Sequence, residues 1–229
     1  MTEFFGIGVF PIVLTLVCFR IGQWCQKKGK LPLFNPTLIA MILVVIFLLV
    51  TGMDIGTYQD GAAKLSWLMT PATISLAIPM YEQFQVLRKN LKAIVIGVAA
   101  GAVSCIVMLL LCGLLLKFDR SIIISLMPKS VTTAIGVPLS ELFGGMGGVT
   151  TAAIIVTGIV GNMMGVTFSK WFRITDPVAQ GVAFGTSAHV IGTAKASELN
   201  ELTGAVSSLS LVAAGLLTAV LFPVLTGFL

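Results

Sequence analysis

Charge is scarce in this sequence: only 10% of its 229 residues are Asp, Glu, Lys or Arg, against roughly 25% in soluble domains. With 57% of residues apolar, a water-soluble globule is excluded. The chain has a single histidine and lacks H-E-x-x-H, a Walker loop, C-x-x-C and any recognisable Ser-His-carboxylate set, so enzymatic function is not expected. Its four cysteines, Cys18, Cys25, Cys105 and Cys112, have no metal-ligand spacing and read as small apolar residues, with no metal or other cofactor expected. The net charge is +5, but there is no basic run longer than Lys27, Lys28 and Lys30, and aromatics do not interleave with the charges. Nucleic-acid binding has no support. Only Glu3 precedes the first apolar run, which does not suit a cleaved secretory signal.

What the sequence does have is a succession of apolar runs. Crossing the hydrocarbon takes about 20 such residues per helix, and six stretches qualify: 4–24, 36–52, 65–81, 93–117, 148–168 and 203–228. Two further stretches, 121–145 and 177–200, are apolar but interrupted by Pro, Gly and hydroxyl residues. The expected fold is an all-α polytopic membrane protein of about six full transmembrane helices plus two broken or re-entrant helical hairpins forming a central site. It is one integral membrane domain over 1–229, with 1–117 mainly scaffold and 118–229 mainly site.

Positive loops tend to stay cytoplasmic. An outside amino terminus puts Arg20, Lys27, Lys28, Lys30, Arg88, Lys89 and Lys92 inside. If the first broken stretch dips in and returns, Lys170 and Arg173 join them; if it crosses, they lie outside. The charge bias prefers two re-entrant hairpins from opposite faces, with unwound crossing helices as the alternative. Asp119 is placed to cap a helix beginning near Ser121, and Thr175 or Asp176 one beginning at Pro177. Gly97-x-x-x-Gly101, Gly161-x-x-x-Gly165 and Gly181-x-x-x-Gly185 put small residues on one helix face, which reads as tight internal packing.

The two broken stretches echo each other. Ser130 to Leu142 aligns with Ser187 to Leu199, with Ser and Ser-Glu-Leu recurring in register. Irregular polar backbone at membrane depth is tolerated only where protein or a wet cavity shelters it, and paired broken helices are how secondary transporters build a substrate site. Half-helix amino termini suit an anion. The substrate-binding candidates are therefore Lys129, Ser130, Thr132, Thr133, Thr186, Ser187, His189 and Gly192.

Each has an ordinary alternative. Lys129 costs about 2.5 to 3.5 kcal/mol near the bilayer centre, which marks it as functional unless it snorkels or pairs with Glu141. Lys195 lies three residues before Glu198 and is placed to pair with it. His189 could carry a proton or simply pack. The hydroxyls could bind a carboxylate or satisfy unwound backbone. Asn162, mid-span, is expected to face the protein interior. Glu141, Lys195, Glu198 and Asn162 form the set of possible ion-pair or coupling residues.

Leu126-Met127-Pro128-Lys129-Ser130-Val131-Thr132-Thr133-Ala134-Ile135 and Gly185-Thr186-Ser187-Ala188-His189-Val190-Ile191-Gly192-Thr193-Ala194 resemble the two signature stretches of the LrgB/CidB family, including its YohK-like members. Asn35-Pro36, Tyr81-Glu82-Gln83 and Phe172-Arg173-Ile174-Thr175-Asp176-Pro177 add to the likeness, which covers essentially the whole chain. The resemblance extends to the homologous part of a plastid glycolate/glycerate carrier. It implies a multi-pass protein of the bacterial cytoplasmic membrane that works with a smaller LrgA/CidA-like membrane partner. It also implies one of two functions: transport of small monocarboxylates such as pyruvate, glycolate or glycerate, or antiholin-like control of murein hydrolases and lysis. The expected reading is a secondary transporter or transporter subunit, a homo-oligomer in the lipid bilayer, with the regulatory role as the alternative.

Overall fold

A computed structural model describes residues 9–28, 36–68, 71, 74–75 and 77–227. The start of the first expected span, Lys30, Asn35, part of the third span between 69 and 76, and Phe228 lie outside the described residues. The chain divides into two compact units, Met1–Ser75 and Leu76–Leu229.

In the first unit, α1 (Phe10–Lys28) and α2 (Pro36–Thr51) run antiparallel. Gly22 allows this, since a Cβ there would lie 2.5 Å from the Pro36 carbonyl oxygen, and at the other end the Phe10 and Phe47 rings stand 5.7 Å apart. The stretch from Asp54 to Lys64, which falls between the expected spans 36–52 and 65–81, is helical. The Asp54 carboxylate accepts from the Thr57 N–H at 3.1 Å and starts α3 (Ile55–Ser66). The Tyr58 hydroxyl, 2.7 Å from Thr15 Oγ1, then ties α3 to α1.

The second unit contains α4 (Ala77–Glu82), α5 (Phe84–Lys89), α6 (Leu91–Leu115), α7 (Arg120–Leu126), α8 (Thr133–Leu142), α9 (Gly147–Trp171), α10 (Pro177–Leu199) and α11 (Glu201–Thr226). Three of these, α6, α9 and α11, are long and apolar enough to cross a membrane. Lipid is as apolar as leucine, so helices here are held by close packing and small residues rather than by the hydrophobic effect. Accordingly α11, the most enclosed helix, buries Thr203, Gly204, Ala205, Ser207, Ser208 and Ser210 along one turn after another. Apolar clusters flank it at two levels: Leu87, Ile94, Val98, Val206 and Ala214, then Ile106, Ile123, Ile124, Met127 and Phe222.

Both broken stretches are hairpins. The first enters at the Thr226 end of α11, where Arg120 donates to the Thr226 carbonyl at 3.4 Å. It runs down α7, turns over 127–132 and returns along α8, so that the Met146 N–H reaches back to Ser125 Oγ at 2.7 Å. Asp119 occupies the N-cap of α7, but helix begins at Arg120 and the carboxylate makes no capping bond. The second hairpin enters from the Glu201 end of α11. Asp176 caps it by accepting from the Ala179 N–H at 2.8 Å. The helix breaks at Ala188 and His189, where φ of +42° and ψ of −137° turn the chain back. Gly192 consequently packs on the Phe184 carbonyl, while Gly181 and Ser197 both meet the first turns of α11, at Thr203 and Gly204. The hairpins thus approach from opposite ends of the unit, and neither crosses it.

Candidate functional site

At the first tip, proline leaves little backbone to satisfy. Pro128 has no N–H, the Lys129 N–H bonds Leu126 O at 3.1 Å, and the Val131 N–H bonds Pro128 O at 3.2 Å. This tight turn frees the side chains of Lys129 and Ser130 to point at α6. The Lys129 ammonium donates to Cys105 Sγ at 3.4 Å, and the same sulfur lies 2.9 Å from Ser130 Oγ. Cys105 sits near the middle of the 25-residue α6.

One turn earlier on α6, Gly101 has no side chain because Thr186 of the second hairpin occupies the space; its Oγ1 would be 3.1 Å from a Cβ there. The tips therefore converge on α6, and Ser130, Val131 and Thr186 line a shared gap beside Cys105. Thr186 and Ser187 donate their hydroxyl protons to the carbonyls four residues back, at 2.7 and 2.6 Å.

The second tip is pinned to α9. His189 is buried, with Nε2 2.9 Å from the Ile154 carbonyl oxygen; since a carbonyl only accepts, Nε2 carries the proton. Asn162 Nδ2 donates to Ile191 O at 3.0 Å. Gly158 gives the imidazole its space, Gly161 does the same for Ala188 and Gly165 for Phe184. The Ile154 side chain also fills the space above Gly136 of the first hairpin, so this one residue touches both.

Between α6 and α9, over the two tips, lies a cavity of about 740 Å³. Ser104, Cys105, Lys129, Ser130, Thr186 and Ser187 form its polar side, and α9 presents Val156, Val160, Met164 and Phe168 opposite, with Thr157 and Ser169 beside them. No Asp or Glu is among the lining residues. A second recess of about 450 Å³ adjoins it through Gly101, Ala183 and Thr186 and extends to Asn90 and Asp176.

Of the residues expected at the site, Lys129, Ser130, Thr186 and Ser187 meet in this cavity. Thr132 forms the N-cap of α8 and Thr133 its first residue, both set back from the lining. His189 faces Ile154, and Gly192 serves the hairpin turn. Glu141 lies on the exposed side of α8, away from Lys129, and its carboxylate abuts Gly147. Lys195 and Glu198 pair at 2.8 Å at the surface. Asn162 faces the second tip, as expected for an interior residue. Sequence reasoning did not anticipate Ser104 and Cys105; their only signal is a helical step of three to four residues beyond Gly101 on the face that Gly97 and Gly101 define.

The fold and site define a class: an all-α, multi-pass membrane protein whose two opposed helical hairpins meet beside a mid-helix cavity. A family model described as LrgB-like family matches residues 15–228, and the chain belongs to that family. This places it, as a membrane protein, with the LrgAB/CidAB systems. No solved structure matches the chain.

Proposed function

We propose that this chain is a secondary carrier, or the carrier subunit of a complex, for small monocarboxylates of the pyruvate, glycolate or glycerate class. The observation that carries the reading is the Lys129 ammonium held against Cys105 and Ser130 where the two hairpin tips meet. A cation at this depth costs about 2.5 to 3.5 kcal/mol on insertion scales, and a carboxylate arriving in the cavity offsets that cost. Opposed hairpins also give a carrier two elements that can gate one site from opposite faces. A surface used only for assembly has no need of polar interruptions sheltered at the centre of the bundle. The chain is proposed to reside in the bacterial cytoplasmic membrane with its amino terminus outside, as a homo-oligomer acting with an LrgA/CidA-like partner.

The test is uptake of radiolabelled pyruvate, glycolate and glycerate into proteoliposomes, with and without the LrgA-like partner. Saturable uptake that falls at least tenfold in Lys129→Met supports the carrier. Absence of saturable uptake in both preparations removes it in favour of a regulatory role over murein hydrolases.

A further inference from the structure

The donors and walls of the cavity restrict the ligand further, on the premise that the cavity is the carrier's site. Hydroxyls line it, but three of them cannot serve an anion. Thr186, Ser187 and Ser104 each give their proton to the carbonyl four residues back, at 2.7, 2.6 and 2.5 Å. Their oxygens are left as acceptors, which repel a carboxylate. The donors that remain are the Lys129 ammonium, with protons beyond the one directed at Cys105, the Ser130 hydroxyl, which is released when the Cys105 thiol donates within their 2.9 Å contact, and the Thr157 and Ser169 hydroxyls on α9. Lys129 and Ser130, adjacent at the first tip, together serve one carboxylate. A second one would find no cation, because Lys129 is the only Lys or Arg in the lining.

The opposite wall is mainly hydrocarbon, with Thr157 and Ser169 its polar members. Val156, Val160, Met164 and Phe168 repeat at four-residue spacing down α9 and face the cavity as one stripe. The stripe is exposed rather than enclosed, so the recess is open along α9 and extends beyond what a three-carbon acid covers. The remainder borders a wall to which water has little to bond.

We infer that the site takes, besides the two- and three-carbon acids and more tightly than them, monocarboxylates bearing a longer aliphatic body, with the carboxylate on Lys129 and Ser130 and the hydrocarbon along Val156, Val160, Met164 and Phe168. Branched or straight four- to six-carbon acids fit this description; dicarboxylates do not. Each methylene buried against the α9 stripe strengthens binding about fourfold.

The test reads binding apart from transport. Purified full-length protein in detergent is titrated with acetate, propanoate, butanoate, pentanoate, hexanoate and 4-methylpentanoate, with thermal stabilisation as the readout. The same acids then compete with labelled pyruvate in proteoliposomes. Hexan-1-ol and succinate are the controls, the first for partition into detergent and the second for charge. The expected result is half-maximal concentrations that fall two- to fourfold per added methylene, no response to either control, and a flatter series in Val160→Thr. A chain-length series with no uptake of any acid upholds the ligand class and removes the carrier. A flat or rising series, or an equal response to hexan-1-ol, overturns the ligand class; pyruvate uptake beside it leaves the carrier standing.

Discussion

The turn at His189 makes a prediction whose sign differs between this turn and an unbroken helix. At φ of +42° and ψ of −137°, a residue with a Cβ is strained by about 1 to 3 kcal/mol, and glycine is not. In an unbroken helix the order reverses, with glycine about 0.8 to 1.0 kcal/mol worse than alanine. His189→Gly and His189→Ala both remove the imidazole, its 2.9 Å bond to Ile154 and its packing on Gly158, so both fall below the wild type by a similar amount. Their difference isolates the backbone. At about 2 to 4 °C per kcal/mol for a chain of this size, the hairpin puts the glycine variant roughly 2 to 12 °C above the alanine variant. Heating in detergent followed by fluorescence-detected size-exclusion chromatography measures this. An alanine variant equal to or more stable than the glycine variant refutes the left-handed turn and with it the re-entrant second hairpin.

Two glycines separate crowding from conformational freedom. A Cβ at Gly185 would lie 2.8 Å from Ser210 Cβ and 3.0 Å from the Leu211 backbone nitrogen, so Gly185→Ala should cost about 1 to 3 kcal/mol; Gly148 has nothing within 4 Å, and Gly148→Ala should gain about 0.4 to 1 kcal/mol. The same thermal assay checks both. Ser210 is fully buried and its hydroxyl lacks a partner among the described residues, so Ser210→Ala should be neutral or stabilising by up to about 2 kcal/mol. A loss of stability there would mean that the hydroxyl has a partner in the assembled protein. The Lys195–Glu198 pair has a Glu side chain 65% exposed, and alanine at either position should change stability by less than about 0.5 kcal/mol in the same measurement.

The two hairpins were legible because proline, glycine and hydroxyls are costly in lipid: Pro128 with Ser130 and Thr132, and Gly185 with Thr186 and Ser187, mark segments that must be sheltered. The stretch that holds the second turn, 186–192, was legible from the same residues, but the residue that makes the turn was not. Ala188 and His189 are not helix breakers, and the left-handed residue is imposed by tertiary packing, with Gly158 and Gly161 of α9 making room for it. This is also why His189 looked like a ligand-binding residue when its ring is directed at Ile154. Cys105 read as inert because its partners, Lys129 and Ser130, lie more than twenty residues away in sequence. The helix Ile55–Ser66 was missed for a local reason: Asp54, Asp60 and Lys64 resemble loop charges until Asp54 is recognised as the cap.

The central claim, that a carboxylate occupies the meeting point of the two tips, is tested most directly at Cys105. With Cys18, Cys25 and Cys112 changed to alanine, Cys105 is the one thiol left, and it lines the cavity beside Lys129. The rate of its reaction with a small uncharged maleimide is measured with saturating carboxylate and with the corresponding amide. The account predicts labelling at least severalfold slower with the carboxylate, no slowing with the amide, and loss of protection in Lys129→Met. Equal rates under all conditions would contradict it.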